Sequence, residues 1–124
     1  MKYQIEHALK ILSPNAQYSL IGDNYENIYW IDENEYKPSI NEIQDKIDEL
    51  HVEEPMRLLR IERNKLLADV DWEVIKSISR GEQISIELAT YMQDLRDLPN
   101  NSNPTLDNTY NLDMTSVNWP IKPV

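Results

Sequence analysis

Arginine is the residue type in this chain best suited to recognising another molecule. Arg57, Arg60 and Arg63 fall at i, i+3 and i+6, and Arg96 lies on a later segment of the same helical periodicity. A planar guanidinium with five donors matches a carboxylate in fork geometry, so such a row either pairs with the chain's own Glu and Asp or reads carboxylates on a protein partner. Acidic groups offer oxygen ligands at Asp23, Asn24 and Glu26 and again at Asp32, Glu33 and Glu35. Neither run has the alternating ligands and central glycine of a calcium loop, and solvated turns are the expectation. His7 and His51 stand alone, without the spacing of a zinc or nucleophile motif, and read as ordinary histidines. Of Asp69 and Asp71, the second is placed to cap a helix. Asn100-Asn101-Ser102 matches a glycosylation acceptor, which carries little meaning without a secretory signal.

The elements that must position these groups follow from hydrophobic spacing. Ile5, Ala8, Leu9 and Leu12 form one face of a helix over residues 3–12, ended by Pro14. Residues 17–21 and 27–32 are β-branched and aromatic runs flanking the turn-type loop 22–26, a hairpin signature. Ser39 and Glu42 then make a capping box ahead of Ile40, Ile43, Ile47 and Leu50. Pro55 either kinks this helix or opens a fresh one. Met56, Leu59, Leu66 and Val70 continue the stripe to Asp71-Trp72, and Ile84, Leu88, Tyr91, Leu95 and Leu98 form another, so an antiparallel helical hairpin is expected. From Thr105 to Thr115 the even positions are Leu106, Asn108, Tyr110, Leu112 and Met114 between Thr, Asp and Asn, an alternation that predicts an extended strand with one buried face.

Composition excludes whole classes of function. The chain has 124 residues, and its Leu, Ile and Val make up about a quarter of it, enough for the core of one small domain or two very small ones. Phe is absent, so Trp30, Trp72, Trp119 and seven tyrosines supply the large side chains. Two glycines rule out a phosphate-cradling loop or dinucleotide fingerprint, and the absence of cysteine rules out disulfides and thiolate-ligated zinc. A net charge of −10 argues against nucleic acid and polyanionic surfaces as partners and suits a basic protein or solubility alone. No apolar run approaches a membrane span and no signal peptide is evident, so a cytoplasmic protein is expected.

Four stretches in order carry a family resemblance: Arg60 to Leu67, Asp71-Trp72, Tyr91 to Pro99 and Trp119-Pro120 with Pro123. Together, over roughly residues 57–124, they resemble the bacteriophage tail assembly chaperones, which join an Arg-rich helix ending in Asp-Trp to a Tyr-Arg-x-x-Leu-Arg-Asp-x-Pro helix and a Trp-Pro tail. Residues 3–50 separately resemble XkdW-type prophage tail-region proteins, through the first helix, the Ser13-Pro14-Asn15-Ala16 turn, the hairpin ending at Ile28-Tyr29-Trp30 and Lys37-Pro38-Ser39.

The resemblance implies a non-enzymatic protein without cofactors or metal. It would bind a tail or tail-fibre subunit in the host cytoplasm and mask a sticky surface until the subunit is incorporated; the alternative is a permanent component of the tail, fibre or baseplate. The expected partner-binding residues are Arg60, Arg63, Trp72, Tyr91, Arg96, Tyr110, Leu112 and Trp119, with Trp72 and Trp119 equally able to serve as core aromatics. The strand over residues 105–115 would add to an exposed sheet edge of the client. The expected fold is α+β, with a helix, hairpin and helix module over 1–54, a helical hairpin over 55–99 and an extended tail over 100–124.

Overall fold

A computed structural model describes residues 2–124. The fold is α+β: α1 (Ile5–Leu12), a two-stranded antiparallel sheet of β1 (Tyr18–Leu20) and β2 (Ile28–Trp30), α2 (Ile40–Ser79) and α3 (Ile86–Asp97). The chain divides into two compact units, residues 1–53 and residues 54–124, and α2 contributes to both.

The first unit is built as its sequence pattern requires. β1 and β2 pair in the register Tyr18 to Trp30, Ser19 to Tyr29 and Leu20 to Ile28. Tyr18 and Trp30 therefore share a face, and their rings stack with centroids 5.8 Å apart. Ala8 and Leu9 from α1, Ile28 from β2, and Ile43 and Ile47 from α2 form the core, with Tyr3, Ile5, Leu12, Leu20 and Tyr25 packed around it. The expected capping box is present: Ser39 Oγ accepts from the Glu42 N–H at 3.1 Å and Glu42 Oε1 accepts from the Ser39 N–H at 3.4 Å. The Tyr36 hydroxyl donates to the same Glu42 oxygen at 2.7 Å.

α2 runs 40 residues without a break and contains Pro55. Pro55 thus neither ends a helix nor starts one, although it lies two residues beyond the junction of the two units. Nor does Asp71 cap anything. The helix passes through Asp71-Trp72 to Ser79 and is closed off by Gly81, which takes φ +71°. There the Gly81 N–H donates to the Ile78 carbonyl at 3.0 Å and the Glu82 N–H to the Ser77 carbonyl at 2.9 Å. This double closure needs a left-handed residue, and only glycine adopts that conformation without steric cost.

In the second unit Ser85 caps α3, its hydroxyl accepting from the Leu88 N–H at 3.1 Å. Val70 from α2 packs with Tyr91, Met92 and Leu95 from α3, flanked by Leu66, Leu67, Val74, Ile84 and Leu88. Nearer the start of this stretch of α2, Leu59 meets Leu98 just beyond α3. Contacts of α3's start with the later part of α2, and of its end with the earlier part, make the pair antiparallel.

The alternation over residues 105–115 does not produce a strand. A single bridge joins Leu106 to Leu112, and a turn of 3-10 helix follows at Met114–Ser116. The physical reason is local. Asp107 Oδ1 accepts from the Thr109 N–H at 2.8 Å, the Thr109 hydroxyl at 2.6 Å and the Asn111 N–H at 3.1 Å. Asp113 Oδ1 likewise accepts from the Thr115 N–H at 3.0 Å. Two Asp-x-Thr segments therefore offer the backbone a turn in place of a ladder. Tyr110, at φ +62°, reverses the chain between them. Leu112, Val117 and Trp119 then fold onto Met56, Leu59 and Leu98 to make a second small core in the same unit.

Candidate partner-binding surface

The arginine row separates into members with different tasks. Arg57 is committed to its own helix: Nε donates to Glu54 Oε2 at 3.0 Å and Nη2 to Glu54 Oε1, and that carboxylate is 1 % exposed. Arg63 Nη1 donates to the Arg96 carbonyl at 3.4 Å, and its Nε and Nη2 donate to Asn64 Oδ1 at 3.2 and 3.1 Å. The structure thus brings Arg63 of α2 and Arg96 of α3 together across the helical hairpin, with the Arg96 side chain exposed. Arg60 is exposed one turn earlier.

The aromatic candidates divide in the same way. Tyr91 is 5 % exposed and fills the core between α2 and α3. Trp119 is half-buried against Leu59, Leu98 and Val117, and its indole N–H donates to the Met114 carbonyl at 3.2 Å. Leu112 packs in the same cluster, while Tyr110 is half-buried at the tip of the loop. Trp72 is the exception at 68 % exposure, standing on the face of α2 opposite Leu59, Leu66 and Val70. Ile61 and Ile75 share that outer face and are also exposed.

Two features of this unit went unread in the sequence. One is the burial of Glu54, whose only local signal is an arginine three residues on. The other is the ion pair of Lys122 with Glu73, which fastens the last residues of the chain to α2. No helix among the described residues is long and apolar enough to cross a membrane, and no group of three or more His, Asp or Glu is placed to hold a metal ion. Three of the turn groups of the first unit act within the fold. Asp23 Oδ1 accepts from the Ile5 N–H at the start of α1, and Asn24 and Asp32 accept from residues two positions on. Both histidines accept backbone hydrogen bonds, His7 Nδ1 from the Gln4 N–H and His51 Nε2 from the Tyr3 N–H, each at 3.0 Å.

A family model of phage tail assembly chaperone proteins matches residues 56–124. The chain belongs to that family. Its matched stretch coincides, to within two residues at its start, with the second compact unit, so the helical hairpin and the folded C-terminal segment are together the phage tail assembly chaperone part of the molecule. No curated protein and no solved structure matches the chain. Tail assembly chaperones are a non-catalytic kind of protein, and a role in tail assembly with phage tail proteins as partners comes with the family.

Proposed function

We propose that this tail assembly chaperone binds a tail or tail-fibre subunit in the host cytoplasm through its second unit and leaves before the particle is complete. The observation that carries the reading is the coincidence of the family match with that compact unit, on whose helical hairpin Arg63 reaches from α2 to the Arg96 carbonyl, with Arg60 and Arg96 exposed. Guanidiniums held by packed helices read carboxylates on a partner, and within an acidic chain such groups select an acidic patch on the client. Tyr110 and the loop that presents it extend the same unit's surface. Tyr91, Leu112 and Trp119 serve by holding the hairpin and the C-terminal segment in place.

Strand addition by residues 105–115 is set aside, because the Asp107 and Asp113 backbone N–H groups are taken by the Asn111 and Thr105 carbonyls. Permanent residence in the virion is the alternative reading. The Asn-rich C-terminal segment packs on Leu59 and Leu98 and pairs with Glu73 of its own unit, an arrangement that serves a free assembly protein without a virion neighbour.

The test is affinity capture of the tagged chain from infected cells, followed by the triple variant Arg60→Glu, Arg63→Glu, Arg96→Glu. A tail or fibre subunit recovered with the parent and lost with the variant is the expected result. Capture of no tail component, or equal capture by the folded variant, would overturn the reading.

A further inference from the structure

We infer that the outer face of α2 in the second unit is a self-association surface, on which a second copy of this chain packs antiparallel. Leu58, Ile61, Lys65, Ala68, Trp72 and Ile75 fall at alternating intervals of three and four residues, the seam spacing of a coiled coil. None of the six belongs to a core cluster, and Ile61, Trp72 and Ile75 are 40, 68 and 59 % exposed. The opposite face of the same stretch, through Leu59, Leu66 and Val70, is already covered by the unit's own core. α2 is thus apolar on two sides, and only one of them is used within the chain.

The stripe is a palindrome in packing terms, and that selects the occupant. Laid antiparallel on itself, it sets Leu58 against Ile75 of the second copy, Ile61 against Trp72, and Lys65 against Ala68, so all six positions find partners with no overhang. Large meets large at both ends and the longest polar stem meets the smallest side chain at the centre. Charge agrees with the same register. Lys65, the one cation in the seam and paired at 3.1 Å with Glu62 of its own helix, would lie beside the exposed carboxylates Asp69 and Asp71 of the second copy. A single polar residue in a seam fixes register at some cost in stability. From Leu58 to Ile75 the contact runs for about 27 Å of helix. With roughly 150 Å² offered by Trp72 alone, the total comes to about 1,000 Å², the lower end for a specific interface. A weak, concentration-dependent dimer is therefore expected.

Sedimentation velocity of the full chain over a wide concentration range tests this. The expected result is a shift from monomer to dimer on concentration, abolished by Trp72→Lys and by Ile75→Lys, both at exposed positions and both checked for retained helix by circular dichroism. Lys65→Leu should lower the dissociation constant at least tenfold. Since the chain lacks cysteine, direction is read by disulfide formation: Leu58→Cys mixed with Ile75→Cys should form a heterodisulfide, and Ile75→Cys alone should not dimerise covalently. A monomer at every concentration, a dimer indifferent to Trp72→Lys, or a covalent Ile75→Cys homodimer would each overturn the inference.

Discussion

Arg57 spans the buried carboxylate of Glu54 one helical turn away, engaging both of its oxygens while its own side chain stays half exposed. The pair sits at the first residues of the second unit, beside Pro55. A carboxylate stripped of its cation in a buried position is costly, whereas replacing it with an apolar group of similar volume is close to neutral. Arg57→Ala should therefore destabilise by about 1–3 kcal/mol, and Glu54→Leu by clearly less. Urea unfolding midpoints of the two variants check the order; equal losses would contradict it.

The two faces of α2 make a second expectation. Leu59 is fully buried in the smaller core of the second unit, so Leu59→Ala should cost about 2–5 kcal/mol. Trp72→Ala, at an exposed position, should shift stability by no more than about 0.5 kcal/mol when measured on dilute protein. Thermal unfolding of both variants, scanned well below the concentration at which copies associate, distinguishes an inner from an outer stripe.

Gly81 supplies a backbone test. It sits at φ +71° with nothing within 4 Å of where a Cβ would stand, so substitution meets no neighbour and only conformational strain remains. Gly81→Ala should cost about 1–2 kcal/mol and fray the last turn of α2, read as faster amide exchange at Gly81 and Glu82.

Acidification should loosen the 105–113 loop. The Asp107 carboxyl is held below its ordinary value by the Thr109 hydroxyl first, then by the Thr109 and Asn111 backbone N–H groups. A folded-state value lower than the unfolded one contributes stability that is full above the unfolded value and is lost as pH falls through the folded value. Glu42 is lowered likewise, by the Tyr36 hydroxyl and then the Ser39 backbone, so the start of α2 follows the same sign. In a titration followed by NMR, the Thr109 and Asn111 amides should move together with Asp107 below the usual aspartate range, and Asp107→Asn should abolish the transition.

How much of this was legible in the sequence depended on whether the signal was local. Ser39 with Glu42, and the two β-branched runs around Gly22, located the start of α2 and the hairpin because capping and turn chemistry act over three or four residues. The stripes through Val70 and Leu95 gave the helical hairpin. Asp71 misled because a capping residue type was read without its geometry, while the true stop at Gly81 needed a left-handed residue and two crossed hydrogen bonds. The Thr105 to Thr115 alternation misled for a different reason: Asp107 and Asp113 gather the following N–H groups into turns, and polar residues at every second position serve turns as well as strands. Of the candidate surface, the arginine row was visible, but only the fold showed that Arg57 is committed to Glu54 and that Tyr91 lies in the core while Trp72 does not.

A chaperone that departs and a tail component that stays differ in one observable, their presence in the finished particle. Quantitative mass spectrometry of purified particles alongside the infected-cell lysate reads it most directly. The expected result is abundant protein in the lysate, in complex with a tail or fibre subunit, and none in the particle. A fixed ratio to the tail proteins in purified particles would contradict the account and make the chain a structural part of the virion.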